Sequence, residues 1–158
     1  MKLKFLMVAL AAAATFAQAA DTPGSNPSMP APPSVAERLA AARKAIEAKD
    51  WNRAMSELNT AERIEPRNAD VHNLLGYSWR KRATPNLAKA FEHYNTALKL
   101  DPKHRGAHEY IGEAYLMDKK PAEAEKHLAQ LETICGNKTC EEYEDLAKAI
   151  ADYKAKNK

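Results

Sequence analysis

Three stretches of this chain can be laid over one another, and a chain of self-similar units is restricted to folds in which each unit completes its neighbour's core. The first stretch contains Ala54-Met55-Ser56-Glu57-Leu58-Asn59-Thr60-Ala61 and then Glu65-Pro66. The second contains Ala90-Phe91-Glu92-His93-Tyr94-Asn95-Thr96-Ala97 and then Asp101-Pro102. The third contains Ala124-Glu125-Lys126-His127-Leu128-Ala129-Gln130-Leu131 and then Gly136. Pro66 and Pro102 are 36 residues apart, and Ala90 and Ala124 are 34 apart. The upstream halves also align: Leu75-Gly76 and Trp79 match Ile111-Gly112 and Tyr115.

Each matched position has a physical reason. Gly76 and Gly112 lack a side chain, so a paired helix can come close, and Ala54, Ala90 and Ala124 do the same from the facing helix. Trp79, Tyr115, Leu58, Tyr94 and Leu128 fill the space around them. Pro66 and Pro102 cannot continue a helix and force a turn. Pro85 and Pro121 suit the first turn of a helix, and Thr84 is placed to cap the helix at Pro85.

A small residue at the helix crossing, an aromatic three later, then A-x-x-x-F-x-x-A and a closing Pro resembles the tetratricopeptide repeat family. The resemblance covers Val35 to about Lys138. It implies an all-α fold of three helix-turn-helix repeats (35–68, 69–104 and 105–138) in a short right-handed superhelical solenoid. The first repeat departs from the pattern, with Ala41-Ala42 for the Leu-Gly pair and Ala45 for the aromatic, as terminal repeats often do. The second carries two extra residues near Arg82 to Pro85.

Ahead of the repeats the chain reads differently. Lys2 and Lys4 precede an apolar run from Phe5 to Ala14, and Ala17-Gln18-Ala19 has small-x-small character. This is the pattern of a secretory signal peptide spanning 1–19, cleaved near Ala19. The apolar run is too short to anchor the chain in a membrane, for which about 20 residues are needed. Residues 20–34 hold five of the nine prolines and read as an extended linker. The expected location is the periplasm or the exterior.

Composition narrows the function. Alanine is abundant and there are only 5 Gly, which argues against an all-β fold. Without Lys2 and Lys4 the basic count falls from 24 to 22 against 21 acidic residues. So balanced a charge does not suggest a nucleic-acid partner.

Cys135 and Cys140 form an even, close pair in a chain expected to be exported, which points to a structural disulfide; metal ligation, free thiols and redox chemistry are the weaker readings. Thr139 and Glu142 fit a capping box. Tyr143, Leu146, Ala147, Ile150 and Tyr153 then recur at helical spacing, so 139–155 reads as an amphipathic capping helix, with 156–158 as a tail. The Cys pair followed by Glu141-Glu142-Tyr143 is similar, more loosely, to the C-terminus of short exported proteobacterial tetratricopeptide proteins.

The sequence offers no catalytic constellation: there is no glycine elbow around a Ser, no phosphate-cradling loop and no HExxH. His104 and His108 are four apart and could share a helix face toward a metal, with Glu109 or Asp101 as a third ligand. The preferred reading gives them no such role, because His72 and His108 occupy the repeat position where the family places a packing Trp. No cofactor and no metal site are expected. Asn137-Lys138-Thr139 matches a glycosylation sequon but overlaps the expected cap and disulfide.

In the family, the first helix of each repeat lines the concave face. The resemblance therefore implies partner-binding positions at Arg43, Asn73, Tyr77, Arg80, Lys81, Glu109 and Glu113, with Leu39, Ile46 and Leu116 beside them. Tyr77 would anchor a peptide and Arg80 would meet a carboxylate. Leu39, Glu109 and Glu113 replace several residues of the family's clamp for a C-terminal carboxylate, so chaperone-tail binding is not implied. The expected function is a non-enzymatic adaptor for a protein or peptide. A structural subunit of an envelope assembly is one alternative; a redox or metal accessory protein using the Cys pair and the His residues is the other.

Overall fold

The computed structural model describes residues 31–157. The expected signal peptide and the linker as far as residue 30 lie outside the described residues. Among those described there are seven α-helices and no strand: α1 (Val35–Glu47), α2 (Trp51–Ile64), α3 (Ala69–Lys81), α4 (Leu87–Leu100), α5 (Arg105–Met117), α6 (Pro121–Cys135) and α7 (Glu141–Lys156).

The helix starts are chemically marked. Ser34 and Glu37 form a reciprocal capping box on α1, and Asp50, Asn68 and Asn86 accept from backbone N–H groups at the starts of α2, α3 and α4. His104 caps α5 with its ring, Nδ1 accepting from Ala107 N–H at 3.1 Å. Pro121 opens α6, where its missing N–H costs nothing. Two expected caps are not formed. Thr84 lies before Pro85 in an exposed turn, and Asn86 caps α4 instead. Thr139 donates its hydroxyl and backbone N–H to Asn137 Oδ1, so α7 starts two residues later than expected, with no side-chain cap.

Helices α1/α2, α3/α4 and α5/α6 pack as pairs. Helices α1, α3, α5 and α7 also pack in succession, whereas α2, α4 and α6 do not pack closely on one another. The first helices thus form an inner layer, with α7 in the place a further first helix would take.

The core is a series of three small clusters rather than one mass, as expected of a fold stabilised between neighbours. Val35, Ala42, Leu58, Ala61, Val71, Leu74 and Leu75 join the first two pairs. Ala90, Tyr94, Ile111 and Ala114 join the second to the third. Leu116, Ala124, Leu131, Leu146 and Ile150 seal the end under α7. Leu39, Ile46 and Leu116, expected beside the groove, pack into or against these clusters.

The small residues sit where helices meet. Ala54, Ala90 and Ala124 are fully buried. A Cβ on Gly76 would lie 2.6 Å from the Tyr94 ring of its partner helix. Gly112 differs: its close neighbour is Leu146 of α7, not α6, with the Leu146 methyl carbons 2.7 Å from where its Cβ would be.

The insertion in the second pair is absorbed between α3 and α4. The Asn86 N–H donates to Trp79 C=O at 3.0 Å, and the Arg82 guanidinium stacks 4.9 Å over the Trp79 ring. The first and third pairs use a tighter turn with Lys49 and Lys119 at φ 57° and 59°. At the far end, Cys135 and Cys140 form a disulfide across the α6–α7 turn, next to Gly136 at φ 69°.

Candidate binding cleft

The inner layer carries a cleft of about 270 Å³ bounded by α1, α3, α5 and α7. Arg43 stands at one wall, Asn73 and Glu109 at the floor, and Glu141, Glu142 and Asp145 of α7 at the other wall. A second, less polar hollow of about 220 Å³ shares Arg43 and Tyr110 with it and adds Ile46, Leu74 and Tyr77. The two make one groove, acidic toward α7 and aromatic toward α1.

The floor holds an unsatisfied buried polar group. Asn73 is 5% exposed and its Oδ1 has no hydrogen-bond partner. Its Nδ2 packs against Gly106, where even a methyl group would come within 3.2 Å. Glu109, 8% exposed, faces the same cleft. Burial, followed by the Glu113, Asp145 and Glu142 carboxylates, pushes its carboxyl up to about 8; Arg80 offsets only part of this. The neighbouring carboxylates have partners of their own: His104 Nε2 lies 3.1 Å from Asp70 Oδ1, and Arg105 Nε lies 3.4 Å from Glu142 Oε1.

The basic run Arg80-Lys81-Arg82 is divided among three environments. Lys81 is exposed, its Nζ 5.9 Å from the Tyr77 ring centre, and Arg82 lies over Trp79. Arg80 turns inward and is 4% exposed. Its Nε donates to the Tyr94 hydroxyl at 3.2 Å and its Nη2 pairs with Glu113 Oε2 at 2.5 Å. Its guanidinium carbon lies 5.3 and 5.6 Å from the Tyr77 and Tyr110 ring centres. Burial opposes the Arg80 charge, but the Tyr94 and Glu113 contacts outweigh it. Arg80 therefore does not stand in the groove as a free cation for a partner's carboxylate; it props up the aromatic pair Tyr77–Tyr110, whose ring centres are 4.7 Å apart. Tyr77 is half-buried and Arg43 exposed.

The α7 wall and Tyr110 were not among the sequence candidates. The acidic first turn of α7, with Glu141, Glu142 and Glu144, was visible, but only packing of α7 on α5 puts part of it opposite Asn73. His104 and His108 also part company: His104 caps α5 and meets Asp70, whereas His108 Nε2 lies 3.0 Å from the Pro102 carbonyl.

No protein-family model matches this chain, and a search of curated proteins found no match.

Proposed function

We propose that the chain is an exported, non-enzymatic adaptor of the tetratricopeptide type, holding a protein or peptide segment in the inner-layer groove. The observation that carries this reading is the pairing of an unpartnered Asn73 Oδ1 with a buried, cation-poor Glu109 on one cleft floor. A buried acceptor without a donor costs about 1–3 kcal/mol. A ligand ammonium or guanidinium group entering the cleft would supply donors to both residues and recover that cost. The groove chemistry favours a segment with a Lys or Arg beside an apolar residue, the first over Asn73 and Glu109, the second against Tyr77, Ile46 and Leu74. The Cys135–Cys140 disulfide supports export, since such bonds persist in oxidising compartments. Among the described residues no helix is long and apolar enough to cross a membrane.

The test is binding of fluorescent extended peptides in which one central residue is Lys, Arg, Gln or Glu, flanked by Leu. Wild type is compared with Asp145→Lys and Glu141→Lys, which alter exposed charges on the α7 wall without touching the core. The expected result is a preference for Lys and Arg peptides, weakened by salt and lost in both variants. Equal binding of all four peptides, or binding unaffected by either reversal, defeats the reading. A pull-down from envelope extract with the same variants then identifies the partner.

A further inference from the structure

His72 of α3 and His93 of α4 approach each other away from the cleft, with their Nδ1 atoms 3.2 Å apart. Glu62 of α2 places Oε1 3.7 Å from His72 Nδ1 and 4.0 Å from His93 Nδ1. Three helices thus bring two imidazole nitrogens and a carboxylate oxygen within 4.8 Å of one another. Two nitrogens bound tetrahedrally to one zinc at about 2.0–2.1 Å stand roughly 3.3 Å apart, so the imidazoles are already at ligand spacing. The carboxylate needs to close by a few tenths of an ångström, and its side chain is one-third exposed.

The orientation of His72 is the second observation. Its Nε2 lies 2.9 Å from the Pro66 carbonyl oxygen. A carbonyl can only accept, so Nε2 carries a proton, and in the neutral ring Nδ1 then presents its lone pair toward His93 and Glu62. A ligating imidazole is commonly held this way, its other nitrogen donating to a backbone carbonyl.

The repeat supplies an internal control. His108 and His127 occupy the same places in the third helix pair, with Nδ1 atoms 2.9 Å apart and His108 Nε2 3.0 Å from the Pro102 carbonyl. Glu62 lies four residues before Pro66, and the residue four before Pro102 is Leu98, which packs against the core. The His pair therefore recurs without the carboxylate, and only the first copy offers a third ligand from the preceding helix.

We propose that Glu62, His72 and His93 form a site for one divalent transition-metal ion of the zinc type, with three protein ligands and an open fourth position for water or a partner's side chain. The proposal does not depend on the groove. Cys135, Cys140 and Glu142 also cluster, but sulfurs joined in a disulfide are not thiolate ligands.

The experiment is zinc titration of the untagged full chain by calorimetry, without reductant so that the disulfide stays intact. Cobalt(II) is added in parallel to read coordination from visible absorption. Wild type should bind one zinc and give the intense cobalt bands of a four- or five-coordinate site. His93→Ala and Glu62→Gln should each weaken zinc by about tenfold or more. His127→Ala, which breaks only the control pair, should leave zinc affinity and cobalt bands unchanged. Glu62→Gln keeps the side-chain size at a partly exposed position, and circular dichroism checks that each variant folds. Absence of zinc binding, retention of it in Glu62→Gln and His93→Ala, or an equal loss in His127→Ala would each overturn the site.

Discussion

Glu113 of α5 closes an ion pair onto Arg80 of α3, the one buried Lys or Arg among the described residues. The pair joins successive helices of the inner layer and positions the guanidinium between Tyr77 and Tyr110. Removing one partner of such a pair leaves a charge poorly compensated. Glu113 is 27% exposed, so water recovers part of the loss. Glu113→Gln should therefore lower unfolding stability by about 1–3 kcal/mol. Urea denaturation beside Glu141→Gln, a change at an exposed site, measures it. Equal midpoints for the two variants would mean the ion pair contributes nothing to the α3–α5 contact.

The inward turn of Arg80 could not be read from its neighbours in sequence. Its hydroxyl partner comes from Tyr94 on α4 and its carboxylate from Glu113, 33 positions further on. Local chemistry was legible where one residue decides the outcome: Pro66 and Pro102 fall in turns, Pro121 opens α6, and Gly76 admits Tyr94. It misled where two capping groups compete, because Asn86 follows Thr84 closely and Asn137 captures Thr139. The His pairs lay between these cases. His72 and His108 share a repeat position, and so do His93 and His127, but the pairing of the two positions appears only when α3 meets α4 and α5 meets α6. The acidic cleft was least legible, since it needs α7 to pack beside α5.

Gly76 and Gly112 face neighbours of different stiffness. A methyl at Gly76 would press the fully buried Tyr94 ring, which cannot yield without disturbing Arg80. A methyl at Gly112 would meet the ends of the equally buried Leu146 side chain, which no polar contact ties in place. Overpacking costs about 1–3 kcal/mol, partly offset by the lower chain entropy of unfolded Ala. Gly76→Ala should thus destabilise by more than Gly112→Ala. Thermal melts of the two variants decide the order, and the reverse order would contradict the packing described here.

Glu109 makes stability depend on pH in an unusual direction. Its folded pKa, pushed up to about 8 by burial and by the Glu113, Asp145 and Glu142 carboxylates, lies above the usual carboxyl value of 4.5. The folded state then holds a proton that the unfolded chain has released, so this residue's contribution is complete below about 4.5 and is lost as pH rises through 8. His127 works oppositely in acid. Burial, and then His108, lower it to about 4, so stability falls as pH drops from about 6.5 to 4. Glu109→Gln mimics the protonated form at every pH. Its advantage over wild type should grow between about pH 5 and pH 9, by more than 1 kcal/mol. Parallel denaturation curves at the two pH values would show that Glu109 ionises normally.

The turns at Lys49 and Lys119 hold lysines in the left-handed region. In the third pair, Lys119 N–H donates to Leu116 C=O at 3.1 Å and Lys120 N–H to Tyr115 C=O at 2.8 Å, the pattern that ends a helix at a left-handed residue. A Cβ at such a position is strained, so Lys119→Gly should stabilise the protein, by about 0.5–1 kcal/mol after the entropy of unfolded Gly is subtracted. A calorimetric melt that shows no gain would place the strain elsewhere.

The disulfide clips α7, the wall of the cleft, to α6 across a sequence separation of five residues. The loop-entropy model gives about 2 kcal/mol for so short a ring. Most of the effect should be local, because α7 is terminal and is held otherwise by Leu146, Ile150 and their neighbours in the end cluster. Reduction with dithiothreitol should therefore speed amide exchange in α7 and around Gly112 while leaving α1–α4 protected. It should also weaken any basic peptide held against Glu141 and Asp145, since their helix loses its fixed place. Uniform loss of protection along the chain would mean instead that the fold melts as one unit, and unchanged exchange in α7 would mean that packing alone holds that wall.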